Sequence, residues 1–250
     1  MTEWIVDQGN TRLKLGVFTD GALEEVLTDA AAVAWMEADW EEADQILVAA
    51  SGSLAPELEA ALAARTRPVL HAARNMPLPV ALDYGTPETL GWDRIANAAA
   101  VTARDPEAVW AVIDAGTCIT CDLVAGGTFF GGSIAPGIDL RLRAMYAGTA
   151  ALPLIEDWRE RLSEWGDQPE STLPEHVGTS TVGSLVAGAW GGARAELAGR
   201  LADFGKRWPD LRVMWTGGDA DYLHERESGL IFADSNLTLH GYHAILQHQR

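Results

Sequence analysis

Two short segments place an acid two positions before a glycine, each directly after apolar residues: Trp4-Ile-Val-Asp7-Gln-Gly9-Asn10-Thr11-Arg12 and Trp110-Ala-Val-Ile-Asp114-Ala-Gly116-Thr117. A carboxylate at such a turn suits a hard cation, and a glycine lets backbone approach a ligand closely. Small hydroxyl residues beside it donate to phosphate oxygens. Asn10, Thr11, Arg12 and Lys14 extend this chemistry in the first segment, and Thr117 in the second. The two acids are 107 positions apart (114 minus 7), one in each half of the chain. A pattern repeated in this way predicts a duplicated unit, with two facing hairpins holding a nucleotide's phosphates between them. One such turn alone is ordinarily only a hairpin.

Two further segments bear polar or flexible groups at element ends. Gly91-Trp92-Asp93-Arg94, with Asn97, opens a run that predicts a helix over 93–104. Asp93 and Asn97 are four apart and share a face of that helix. Asp93 is a candidate general base for an acceptor hydroxyl, and equally a first-turn charge favoured by the helix dipole. Arg94 points to another face, where its fork suits a carboxylate. Gly217-Gly218 follows an apolar strand at 212–216.

The elements that must position these groups alternate between strands and helices. Strands are expected at 4–7, 13–18, 45–50, 69–70 and 111–113, and on leaving the Asp114 turn; helices at 30–44, 56–65, 138–148, 181–204 and from Thr238. The stretch 126–137 is glycine-rich, the proline-spotted 74–90 reads as extended and irregular, and 156–176 as an exposed excursion. The order predicts an α/β fold with mixed sheets flanked by helices, in two lobes, 1–108 and 109–250.

Cys118 and Cys121 fall on a predicted strand without a second ligand pair, and read as small core residues rather than a zinc or redox site. His240, His243 and His248 read as solvent-facing for want of a third placed ligand.

The chain has 36 acidic and 18 basic residues, a net charge of −18, and only two lysines, Lys14 and Lys206. A surface of this sign repels nucleic acid, so no such partner is expected, and a bound polyanion must be held by local features. No apolar run is long enough for a membrane span, and no signal-peptide pattern opens the chain, so a soluble cytoplasmic protein without membrane partners is expected.

Taken in order, the motifs resemble those of type III pantothenate kinases, of the acetate and sugar kinase/actin-like superfamily. They are Asp7-x-Gly9-Asn10-Thr11; Tyr84-x-x-Pro87-x-x-Leu90-Gly91-x-Asp93-Arg94-x-x-Asn97-Ala98; Asp114-Ala-Gly-Thr117-x-Ile-Thr-x-Asp122; Gly131-Gly132-x-Ile-x-Pro136-Gly137; Gly178-x-x-Thr181-x-x-Ser184; and Thr216-Gly217-Gly218. The resemblance spans nearly the whole chain. It implies a duplicated two-lobe actin-like (ribonuclease H-like) ATPase fold and ATP-dependent phosphorylation of pantothenate to 4′-phosphopantothenate, the first step of coenzyme A synthesis.

The resemblance also implies site roles. Asp7 would hold Mg²⁺, and Gly9, Asn10, Thr11, Arg12 and Lys14 would meet the phosphates. Thr117, Gly217 and Gly218 would contact the rest of ATP. Asp93 would be the catalytic base; Tyr84, Gly91, Trp92, Asp93, Arg94 and Thr181 would bind pantothenate, Thr181 near a subunit boundary of a homodimer. Asp114 would face a monovalent cation, K⁺ or NH₄⁺, or the metal and phosphates. Trp92 stands where the family has smaller residues, and Cys118 where alanine is common. The alternatives are a non-catalytic accessory factor in transcription and a kinase of another small hydroxylated acceptor.

Overall fold

In a computed structural model of the 250-residue chain, all residues are described except 10–11, 40–41, 51–53, 167–176 and 225–230, together with the side chains of 39, 57 and 163–166. The elements in chain order are β1 (Thr2–Gln8), β2 (Leu13–Thr19), β3 (Ala22–Thr28), α1 (Asp29–Asp39), β4 (Gln45–Ala50), α2 (Pro56–Ala63), β5 (Val69–His71) and β6 (Ala81–Leu82). Then follow α3 (Trp92–Arg104), β7 (Val109–Ala115), β8 (Cys118–Ala125), β9 (Thr128–Pro136), α4 (Ile138–Gly148) and α5 (Trp158–Gly166). The chain continues through α6 (Thr181–Val186), a π-helical turn (Ala187–Gly191), α7 (Gly192–Arg207), β10 (Arg212–Thr216), α8 (Ala220–Leu223), β11 (Ile231–Ala233) and α9 (Leu237–Gln247).

The chain packs into two compact units. Unit 1 comprises residues 1–110, 123–131 and 236–250; unit 2 comprises 111–122 and 132–235.

Unit 1 is built on a five-stranded sheet of order β3-β2-β1-β4-β5. β1 runs antiparallel to β2 and parallel to β4. Trp4, Ile5 and Val6 are buried consecutively, so both faces of β1 are covered, as its unbroken apolar run requires. One face packs with Leu15, Val48, Leu58 and Leu62, and with Ala32 and Met36 of α1. α9 packs on β1 and β4 and along α3. Leu237, Leu239, Tyr242, Ile245 and Leu246 of α9 are all buried. A helix apolar on several sides needs partners on more than one side, which is why residues 236–250 pack in unit 1 although the sequence reading groups them with the second half.

The second sheet has the order β11-β10-β7-β8-β9-β6. Without the short edge strand β6, which pairs with the start of β9, the order β9-β8-β7-β10-β11 repeats β3-β2-β1-β4-β5 strand for strand. β4–β5 and β10–β11 are both parallel. The expected duplication is therefore written into the topology, with an acid-bearing hairpin heading each copy.

Several expectations are corrected. His243 is buried: it stacks on Phe18 at 4.0 Å between ring centroids, its Nε2 lies 2.8 Å from Glu3 Oε2, and Glu3 also accepts from Gln247 and Arg250. Cys118 is exposed at the start of β8, while Cys121 is buried; only the latter is a core residue, its thiol pushed up to about 12, chiefly by burial. Two strands go beyond those expected: β3, and β9 within the glycine-rich stretch, to which the sequence reading assigns no element. The helix expected over 181–204 is interrupted by the π turn. Trp158, in the stretch read as exposed, is fully buried. Among the described residues, no helix is long and apolar enough to cross a membrane.

Candidate active site

In unit 1, Asp7 lies at the carboxyl end of β1, opposite Lys14 of β2 and level with Ala49 of the parallel β4. Cross-strand partners project from the same face, so both side chains leave the sheet on one side. The carboxyl ends of parallel strands in open α/β sheets are where ligands bind. The turn closes through Gly9 N, which donates to Arg12 O at 2.9 Å. Arg12 is exposed, and Asp7 and Lys14 are half-buried. Asn10 and Thr11 lie outside the described residues.

α3 begins at Gly91, whose carbonyl accepts from Ile95 N at 3.2 Å. Asp93 sits in the first turn, and its Oδ1 accepts from Arg94 N at 2.8 Å. A side chain at Gly91 would strike this oxygen, so the glycine leaves the carboxylate its place. Arg94 is only 5% exposed. Its guanidinium lies 5.8 Å from the Tyr84 ring centroid and 5.4 Å from that of Phe129. Both rings are at cation–π distance and fix its plane. Trp92 is also buried, with Arg74 stacked on it at 5.0 Å. Asn97 shares the helix with Asp93 but turns to α9: its Oδ1 accepts from Thr238 Oγ1 at 2.9 Å. Tyr84, Gly91, Trp92, Asp93 and Arg94 are thus gathered around one end of α3.

In unit 2, the β7–β8 turn consists of Gly116 and Thr117, after the half-buried Asp114. Two other backbones press on it. Gly137 N, just before α4, donates to Thr117 O at 3.0 Å. Asp219 N donates to Ala115 O at 2.9 Å. Gly217 has φ +91°, a conformation open to glycine and strained for other residues. A Cβ at Gly137 would overlap the carbonyl of Gly116, and one at Gly217 the backbone of Ala115. Thr117 and Gly217-Gly218 therefore belong to one backbone cluster, which also contains Gly137 and Asp219. The sequence reading assigns no role to the last two. The Gly-Gly-Asp run and Pro136-Gly137 were their only local signals.

Thr181 is the first residue of α6. Ser180 caps the helix, its Oγ accepting from Gly183 N at 3.0 Å. A serine directly before a helical run is the usual signature of such a cap. Thr181 is exposed and lines an open groove of about 660 Å³ with Leu152, Gly178, Thr179, Ser180, Ser184 and Leu185.

The donor set suits the ions that the resemblance implies. Mg²⁺ is ordinarily held by one or two carboxylates plus substrate phosphates. Asp7, half-buried at a strand end, meets that need. The half-buried Asp114 carboxylate is likewise an oxygen donor.

A doubled sheet of this order, with an acid-bearing hairpin in each copy, defines the actin-like class of ATPase folds. A Campylobacter jejuni protein named for the Baf family of transcriptional activators matches with a TM-score of 0.59 over 98% of each chain, at 19% identity. The (R)-2-hydroxyglutaryl-CoA dehydratase component A of Acidaminococcus fermentans matches with a TM-score of 0.53, over 99% of this chain and 97% of that one, at 14% identity. At such identities the likeness is one of fold alone.

Sequence is more specific. The family model described as type III pantothenate kinase matches residues 4–202. A type III pantothenate kinase of Bacteroides fragilis is 35% identical over 248 residues, 98% of this chain and 97% of that one. The chain belongs to the type III pantothenate kinase family.

Proposed function

We propose that the protein transfers the γ-phosphoryl group of ATP to the hydroxyl of pantothenate, forming 4′-phosphopantothenate at the entry to coenzyme A synthesis. Membership of the family over nearly the full chain carries this reading. The carboxylate of Asp93 at the head of α3 supports it. Phosphoryl transfer depends on positioning and charge neutralisation more than on covalent help. Asp93 orients the acceptor hydroxyl and takes its proton late in the reaction. The Arg94 amide and the bare Cα of Gly91 hold that carboxylate in place. Tyr84 and Trp92 shape the acceptor's surroundings, and Arg94, set by two rings, faces its carboxylate.

Gly9, Asn10, Thr11, Arg12 and Lys14 receive the β- and γ-phosphates. Asp7 holds Mg²⁺, which when bound neutralises phosphate charge. Thr117, Gly217 and Gly218 contact the remainder of the nucleotide, and Asp114 faces K⁺ or NH₄⁺. The protein works in the cytoplasm as a homodimer. The exposed Thr181 and the small residues Gly183, Gly188, Gly191 and Gly192 that follow it support a subunit contact there.

Purified protein with ATP, Mg²⁺ and K⁺ is expected to release ADP only when pantothenate is added. Asp93→Asn is expected to lose about 10²- to 10⁴-fold in turnover while still binding ATP. Full turnover in Asp93→Asn removes this residue from the mechanism. ATP binding without turnover in the unaltered protein favours the accessory-factor reading instead, and turnover with another hydroxylated acceptor in place of pantothenate moves the substrate.

A further inference from the structure

We infer that Arg159 is a positioning residue for the nucleotide subsite of unit 2, acting through Asp139 and Asp219. The inference rests on the proposed contact of Thr117 and Gly217-Gly218 with ATP.

Arg159 lies near the start of α5, in a stretch to which the family motifs assign nothing. Its Nη2 donates to Asp219 Oδ1 at 2.6 Å and to Asp139 Oδ2 at 3.1 Å, and its Nε reaches the same Asp219 oxygen at 3.2 Å. Each carboxylate belongs to one of the two backbones that press on the β7–β8 turn. Asp139 is in the first turn of α4, two residues after Gly137. Asp219 directly follows Gly217-Gly218, and its own amide holds Ala115. One guanidinium thus joins both sides of the cradle around Gly116 and Thr117.

The neighbouring Trp158 keeps Arg159 in register. Trp158 is fully buried, its Nε1 donates to Asp139 Oδ1 at 2.7 Å, and its ring lies 4.2 Å from the Arg159 guanidinium. It also meets the ring of Tyr222 edge-on, and Tyr222 N donates to Asp219 O at 3.1 Å. Asp219 is only 6% exposed. Burial raises its carboxyl above the usual range, against the opposing pull of Arg159. Without the guanidinium, a buried carboxylate loses its cation and must either take a proton or turn towards water. A turn towards water moves Asp219, whose own amide holds Ala115.

The test is steady-state kinetics on the full chain, varying ATP and pantothenate separately, with calorimetric titration of ATP alone. Arg159→Ala is expected to raise KM for ATP about tenfold, with kcat and the KM for pantothenate within about twofold of the unaltered protein. Arg159→Lys recovers only part of the loss, because an ammonium cannot reproduce the fork. Asp139→Asn, which keeps an acceptor for Trp158, raises the ATP KM about threefold. An unchanged ATP KM, or equal losses for both substrates, overturns the inference. If Arg159→Ala fails to fold, Asp139→Asn decides by the same criterion. An unaltered protein that does not bind ATP in the titration overturns the proposed function and this inference with it. Normal binding and turnover in the unaltered protein, matched by its variants, overturn the inference alone.

Discussion

The β1–β2 hairpin and the β7–β8 hairpin occupy the same place in their two sheets, and each carries an acid one residue before the end of its first strand. In the first, Gly9 N donates to Arg12 O, so the hairpin is closed by its own amide. It carries its own cations, with Lys14 directly opposite Asp7. The second turn has two residues, Gly116 and Thr117, neither of them basic. Its own amide closes it too, Gly116 N to Cys118 O at 3.0 Å, but it is also held from outside, by Gly137 on one side and Gly217 with Asp219 on the other. Duplication kept the strand order and changed what surrounds the turn: basic side chains in one copy, backbone packed against backbone in the other. In a chain of net charge −18, a polyanion is received only where cations are placed on purpose or where amides are presented without side chains.

Glycine replacements give the largest expected contrast. Gly217→Ala combines a positive φ with overlap on Ala115, and Gly137→Ala overlaps Gly116. In both, the obstacle is backbone, which cannot swing aside. Each is expected to cost about 2–4 kcal/mol in urea unfolding. At Gly9 a Cβ would stand 3.3 Å from Arg12 O, a tight contact that falls short of the overlap at the other two. Gly9→Ala is therefore expected to cost less than about 1 kcal/mol. Equal losses at the three positions would erase the distinction between a turn that only its own amide closes and one that other backbones also hold.

Charge gives the next contrast. Lys14→Ala is expected to weaken ATP binding about tenfold at low salt, the gap narrowing as ionic strength rises. Thr117→Val removes a hydroxyl and no charge, so its loss of a few-fold should stay constant with salt. Titrations at two salt concentrations separate the cases, and parallel salt slopes would show that the first turn does not work by charge.

The hairpins were legible because an apolar run that stops at an acid and a glycine is a local signal. So was α3, from its small and apolar residues. Asp93 was ambiguous from local pattern, since a first-turn acid serves a helix dipole as well as a substrate; the ordered motifs decided its reading. β9 was hidden because glycine weakens strand propensity. It earns its place by packing: a Cβ at Gly132 would overlap Cys121 and Asp122. Burial of His243 depends on Glu3, 240 positions away, and the grip of Arg159 on Asp219 spans 60. Neither pairing leaves a trace in sequence spacing. The domain split near residue 108 overlooked the return of α9 for the same reason.

The smallest expected effect tests how far the external support of the second turn extends. Arg141 Nε donates to Pro136 O at 2.8 Å, next to Gly137, and its Nη2 pairs with Glu196 Oε2 at 2.7 Å. Glu196 also pairs with Arg200 at 2.8 Å. Arg200 first and Arg141 second hold the Glu196 carboxyl below its ordinary 4.5. A depressed acid contributes stability above its unfolded-state value and loses it as pH falls through the lower folded-state value. The pairs are partly exposed, so Glu196→Gln is expected to cost under about 1 kcal/mol at pH 7. In thermal melts, the difference between the two proteins should shrink as pH drops below 4.5. At high pH, where both arginines remain charged, it should persist. A difference that does not change with pH would mean that packing, and not the two ion pairs, keeps Arg141 on the Pro136 carbonyl, and the outside support of the β7–β8 turn would then end at Gly137 itself.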